Sequence, residues 1–350
     1  MNYREIGSEY HYHTFDATHK SEALDLCHDF CDKVYTFSGR TAIETVLRNL
    51  PSIKAAMLPS YCCDSMIQPF RDLGIKVSFY DVFWQDGFNV QIGDTSDVDL
   101  ILWCNYFGFK QTMPILRTFT KNGGIIIEDI THSYMSTAPC DSQSHYVIAS
   151  IRKWLPLISG GYCASRVSYL NVKPGTNVSK HFIDLKRGAM KQKTTFLDNP
   201  DDELKDNYLR DFSSSNHWLS KNYSDTLIDE ESMQILSHID KQSVIRKRRE
   251  NAEIIYKHLV ACKEISPMFD QKDMDCPLFV PVVLNSADER NKLRSLLTSQ
   301  KIYCPIHWPK PNENCSSNLY DLELSLVCDQ RYEKSDMERM MQIIEGFSAN

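Results

Sequence analysis

The chain has 350 residues, of which 42% are hydrophobic and 24% charged, and a net charge of -7. That length accommodates a large domain with a buried core plus a smaller second one. The acidic balance argues against nucleic acid or an anionic membrane as partner, since both would repel it.

No stretch approaches the ~20 apolar residues that cross a bilayer. The N-terminus (MNYREIGSEYHYHTFDATHK) is polar and carries acids, unlike a signal or transit peptide, so a cytoplasmic location is expected. The twelve cysteines are scattered, with no C-x-x-C and only the adjacent pair Cys62-Cys63, so they read as small buried hydrophobes and no metal site is expected.

Along the first half, helices and strands alternate. Thr41 to Leu50 has helical spacing after Ser38-Gly39, Ala55 to Leu58 is a short apolar run, and Ser65 to Leu73 is again helical. Lys76 to Val82 and Leu100 to Asn105 read as strands, and Pro114 to Thr120 as a helix. Gly124 to Glu128 (GIIIE) is a continuous β-branched run, the pattern of a strand covered on both faces. Tyr146 to Ser150 and Gly161 to Ser165 read as two more short strands. The alternation implies α/β architecture with a mostly parallel sheet, whose ligands sit beyond the carboxyl ends of the strands.

From 168 to 225 the chain is polar and weakly periodic, with loops expected at 198–206 and 213–216. Glu230 to Leu259 reads as one long helix. A strand (Leu278 to Leu284), a helix (Ala287 to Thr298), a strand into a turn (Ile302 to Trp308), a strand (Leu322 to Cys328) and a last helix (Lys334 to Phe347) follow. The expected division is a large domain over 1–241, with an N-terminal arm, and a small α+β domain over 242–350.

Three features carry chemistry. Ser38 to Ala42 opens a helix, whose free N–H groups attract an anion. Asp129 ends the most hydrophobic strand, with His132 three residues on. Lys153 follows strand YVIAS and precedes an apolar loop, where partial desolvation favours the neutral amine. A lysine, an acid and an anion cradle are what pyridoxal 5'-phosphate (PLP) requires. Each also has a plain structural reading: an N-cap, a strand-end carboxylate, and a lysine lying along Trp154.

Together these pieces resemble the DegT/DnrJ/EryC1/StrS family of PLP-dependent sugar aminotransferases, from about residue 34 onward. The resemblance rests on Gly39 with Thr41-Ala42, on Pro59 to Cys63, on Gly74 to Val82, and on Glu128, Asp129 and His132. It rests further on Lys153 with Gly160-Gly161 seven residues later, on Ile302 to Pro309, and on Leu324 to Leu326 with Asp336-Met337. It implies the fold type I architecture: a three-layer α/β/α large domain plus a small C-terminal α+β domain. Lys153 would form the imine with PLP and then move the proton, Asp129 would pair with the ring nitrogen, and His132 would lie against the ring. Thr41, Ala42 and Ser150 would hold the phosphate, with Gly39 also touching the cofactor. Cys63 falls at the ring-stacking position, a role open to Tyr61 or Tyr106 instead, and Tyr61, Tyr106 and His307 would line the substrate mouth. A homodimer is implied, with Asn222 reaching the partner's phosphate.

The chain departs from the family at Ile148 and Ser150, where serine and histidine are usual, at Trp154 in place of asparagine, and in lacking an arginine after Asn222-Tyr223. The leading reading is transfer of an amino group from glutamate to a nucleotide-linked keto-sugar in polysaccharide or secondary-metabolite biosynthesis. The altered flank of Lys153 motivates an alternative, a PLP-dependent lyase or condensing enzyme, and a scaffold of the same fold is the third. Arg40, Arg152, Arg187 and Arg331 are open as the group binding the donor carboxylate.

Overall fold

The structure is a computed structural model and describes residues 4–13, 29–114, 116–176, 178–313 and 315–349. A short N-terminal strand β1 (Ile6–Gly7) precedes β2 (Asp32–Thr36), α1 (Gly39–Arg48), β3 (Ala55–Pro59), α2 (Asp64–Asp72), β4 (Lys76–Trp84) and β5 (Phe88–Gln91). Then come β6 (Leu100–Cys104), α3 (Arg117–Lys121), β7 (Ile125–Asp129), β8 (Tyr146–Ala149) and β9 (Gly161–Ser165). The second half comprises α4 (Lys180–Asp198), α5 (Asp202–Lys221), α6 (Glu230–Leu236), α7 (Lys241–Leu259), β10 (Ile265–Pro267), β11 (Val280–Leu284) and α8 (Ala287–Ser299). It closes with β12 (Ile302–Tyr303), α9 (Leu319–Leu322), β13 (Glu323–Leu326) and α10 (Lys334–Ser348).

Eight strands form the main sheet in the order β2-β9-β8-β7-β6-β3-β4-β5. Strands β4, β3, β6, β7 and β8 run parallel, and β5 and β9 pair antiparallel at their flanks. The expected α/β class with a mostly parallel sheet is what the chain adopts. The centre of the sheet is covered on both faces, which is why β6 and β8 are buried at every position. Strands β10, β11 and β13 make a second, antiparallel sheet with Val280 opposite Leu326. The N-terminal segment crosses to the C-terminal half of the chain, where β1 pairs in parallel with β12.

The largest departure from expectation lies at 168–225, where two long helices replace the weakly structured stretch. Both expected loops, 198–206 and 213–216, fall largely inside α5. The helices start on side-chain caps, Ser179 accepting from the Phe182 N–H and Asp201 from the Leu204 N–H. Their buried seams, Phe182, Lys186, Ala189, Met190, Lys193 and Phe196 in α4 and Tyr208, Phe212, Ser215 and Leu219 in α5, recur every three or four residues. Two lysines and a serine on those seams hide the apolar period that normally announces a helix. The long helix expected over 230–259 is two: α6 ends at Leu236, and Asp240 caps a new start by accepting from the Ser243 N–H at 3.0 Å. In the strand into a turn expected over 302–308, the strand part is the two residues Ile302–Tyr303.

Candidate active site

The parallel register delivers chemistry to one edge of the sheet. Asp129 is the last residue of β7, beside Cys104 of β6 and Ile148 of β8. Successive strand residues face opposite ways, so Glu128 turns the other way. It takes hydrogen bonds from Asn105, the Asp141 N–H and Ser144, and burial pushes its carboxyl up to about 7. Asp129 turns into a cavity of about 770 Å3. Its Oδ1 accepts from the Thr131 N–H at 2.8 Å, and burial raises its pKa. From β8 the chain passes through Ser150 into a single helical turn, Ile151–Lys153, which brings the lysine to the same cavity.

Trp154 locks that turn. The indole is fully buried; its N–H donates to the Thr131 carbonyl at 2.6 Å, and the Trp154 carbonyl accepts from Tyr10 and Gln330, each at 2.8 Å. The helix opening the cavity approaches because two residues lack side chains. A Cβ at Gly161 would lie 2.2 Å from the Ser38 carbonyl oxygen, and one at Gly39 would lie 3.0 Å from the Ser150 Cβ. The N-terminus of α1 therefore rests directly on the segment that leads to Lys153.

Lys153 Nζ lies 3.1 Å from His132 Nε2. The imidazole is buried, and burial, then the Lys153 and His307 charges, hold it well below the usual histidine range, so it is neutral. Its Nδ1 accepts the Phe107 N–H at 3.2 Å, which assigns the ring proton to Nε2. The imidazole thus turns its Nε2 toward Lys153 Nζ and fixes where that nitrogen sits in the cavity. An aromatic wall surrounds the pair. Trp308 is stacked on His132 at 5.6 Å, with Lys153 Nζ 5.4 Å from its ring centre. His307 meets His132 edge-on at 5.5 Å. Behind it, His307 Nδ1 bonds Ser325 Oγ at 2.8 Å and its backbone N–H donates to Glu323 at 2.7 Å; burial pushes that carboxyl up to about 8.

The cavity collects Lys153, Asp129, His132, Gly39, Cys63, Ser150 and His307 of the expected residues. Thr41 and Ala42 lie behind it: both are buried, and the Thr41 hydroxyl donates to the Tyr223 carbonyl at 2.6 Å. Tyr61 and Tyr106 stack on each other at 5.8 Å within the core and do not line the wall. Asn222 stands outside the cavity and donates to its own Trp218 carbonyl at 2.9 Å. Among the arginines, Arg187 lies elsewhere, paired to Glu231 at 2.6 Å. Arg331 is held by Asp329 at 2.7 Å and by the Ser8 and Glu9 carbonyls. Arg331, Arg40 and Arg152 all line the cavity.

Sequence reasoning missed several wall residues. Glu5, Glu9 and Tyr10 come from the N-terminal segment, and Lys186, Lys205, Tyr208 and Asn216 from α4 and α5. The one signal in the sequence is the lysine spacing on the α4 seam, which resembles a solvated face. The residues present fit PLP, because an amine (Lys153), a buried carboxylate (Asp129) and a helix N-terminus (Gly39) line one cavity.

No protein-family model matches the chain, and no curated protein matches it. Solved structures do. A candidate sugar aminotransferase of Streptococcus pneumoniae in its PLP form shares 12% identity, with 99% of each chain covered and a TM-score of 0.66. DesI, in the presence of its TDP-sugar product, shares 12% identity over 92% of this chain and 81% of its own, with a TM-score of 0.65. A DegT DnrJ EryC1 StrS aminotransferase from Brucella abortus shares 14% identity over 92% and 87%, with a TM-score of 0.61. The fold of this chain is therefore that of these aminotransferases.

Proposed function

We propose that the protein is a PLP-dependent aminotransferase that takes an amino group from glutamate and places it on a nucleotide-linked keto-sugar. The observation carrying this reading is the placement of Lys153 Nζ against the neutral His132, in the cavity that also holds Asp129 and the start of α1. When bound, PLP supplies an aldehyde that condenses with amines and a pyridinium ring that withdraws electrons from the reacting carbon. Lys153 would hold the cofactor, and its amine would be the group that takes up and returns a proton at the reacting carbon. His132 keeps the lysine nitrogen oriented through its Nε2 proton. Asp129, costly as a lone buried anion, would be stabilised by a cationic group of the bound cofactor. The sugar-nucleotide assignment is supported by the likeness in fold to DesI, whose product is a TDP-sugar, and the glutamate assignment by the family resemblance.

On the same reading the protein is a homodimer in the cytoplasm, with its large domain over 1–241 and its small domain over 242–350. Among the described residues no helix is long and apolar enough to cross a membrane. The test is to reconstitute the protein with PLP, add glutamate alone and follow the visible spectrum. Conversion of the cofactor to its amine form, with release of 2-oxoglutarate, is the expected result. A spectrum that glutamate does not alter would contradict amino transfer.

A further inference from the structure

The hydroxyl expected to hold an anion at the start of α1 is spent elsewhere, because Thr41 donates to the Tyr223 carbonyl. Two guanidinium groups reach the cavity there instead. Arg40 is the second residue of α1, and its Nε donates to Gln68 Oε1 at 2.8 Å, a neutral partner. Arg152 sits between Ser150 and Lys153, and its Nε is buried with no hydrogen-bond partner among the described residues. The carboxylate acting on it, Glu9, is occupied by Lys186 at 3.2 Å and Asn216 at 3.4 Å. Among the described residues neither arginine has a carboxylate within ion-pair distance, whereas Lys205 in the same cavity has Glu5 at 2.6 Å.

Burial disfavours both cations, and Arg40 adds repulsion to Arg152. Two like charges in one cavity, beside a helix start whose first N–H groups have no intrahelical acceptor, are unfavourable until an anion arrives. Gly39 rests on Ser150, so that anion lies within the span of the three residues leading to Lys153.

We propose that Arg40 and Arg152 clamp the phosphate of the cofactor, with the α1 N–H groups and Ser150 completing the cradle. This clamp rests on the PLP reading above. A phosphate dianion supplies the charge that both guanidiniums lack and accepts their N–H groups in charge-assisted hydrogen bonds.

The test compares pyridoxal phosphate with pyridoxal, which lacks the phosphate. Wild type, Arg40→Gln and Arg152→Gln are titrated with each compound, following the absorbance of the bound cofactor, and Kd is read for both. Each substitution is expected to weaken pyridoxal phosphate by about tenfold to a hundredfold, the worth of a hydrogen bond to a charged group, while leaving pyridoxal unchanged. Inorganic phosphate should compete with pyridoxal phosphate for wild type and less well for the variants. Variants that keep the wild-type preference for the phosphorylated compound would overturn the clamp. So would variants that lose only affinity for glutamate. If either glutamine variant loses pyridoxal as well, the lysine substitutions at the same positions give the ratio in a folded protein. A wild type that captures neither compound refutes the PLP reading itself, a separate result.

Discussion

Replacing Trp154 with phenylalanine separates the support of the site from its chemistry. The indole N–H is the donor to the Thr131 carbonyl, and the Arg248 guanidinium lies over its ring, 4.6 Å from the centre. Trp154→Phe keeps an aromatic ring but strands a buried acceptor, which costs about 1–3 kcal/mol. The space vacated by the smaller ring adds to this by roughly 24 cal/mol per Å3 left unfilled. Trp154→Ala should cost more, about 3–5 kcal/mol for a buried aromatic, and release the turn that carries Lys153. Urea unfolding followed by circular dichroism should show the midpoint falling in the order wild type, Phe, Ala, with the slope unchanged. Cofactor capture should slow in the same order, since Lys153 is the preceding residue. A phenylalanine variant within about 0.5 kcal/mol of wild type, the range of ordinary surface changes, would refute an anchoring role for this hydrogen bond.

Burial of two carboxyl groups gives two more expectations. Asp129→Asn should leave the cofactor-free protein as stable as wild type or more so, because the lone carboxylate is disfavoured there. It should lower amino-transfer turnover by roughly a hundredfold to a thousandfold, the order of a broken buried ion pair's ~3–5 kcal/mol; unaffected turnover would remove Asp129 from the mechanism. Glu323 has its pKa raised from 4.5 to about 8, first by burial. A carboxyl raised on folding contributes stability that is complete below its unfolded value and is lost as pH rises through its folded value. Chemical denaturation across pH 4.5 to about 8 should therefore show Glu323→Gln losing less stability with rising pH than wild type; parallel profiles would contradict the assignment.

The central sheet was legible because its strands are short, apolar and rich in β-branched residues: Ile126, Ile127 and Leu100 to Leu102 are buried and leave no competing pattern. Asp129 and Lys153 were legible for the same reason, as polar residues at the ends of such runs. What stayed hidden depends on contacts distant in sequence. The N-terminal segment reaches the cavity, where Tyr10 finds the Trp154 carbonyl, 144 positions away. Thr41 matched a phosphate-binding pattern, but its hydroxyl turns to Tyr223, across 182 positions. Helix α4 buries two lysines, Lys186 and Lys193, that periodicity assigns to solvent. Trp308 belonged to a turn visible in the sequence, yet nothing local says that it stacks on His132.

Borohydride reduction of the PLP-loaded protein, followed by peptide mapping, bears most directly on the role given to Lys153. The cofactor should become fixed on the peptide containing Lys153, and Lys153→Ala should carry none. Fixation on another lysine, or equal fixation in the Lys153→Ala variant, would show that the imine forms elsewhere and that the site has been wrongly assigned.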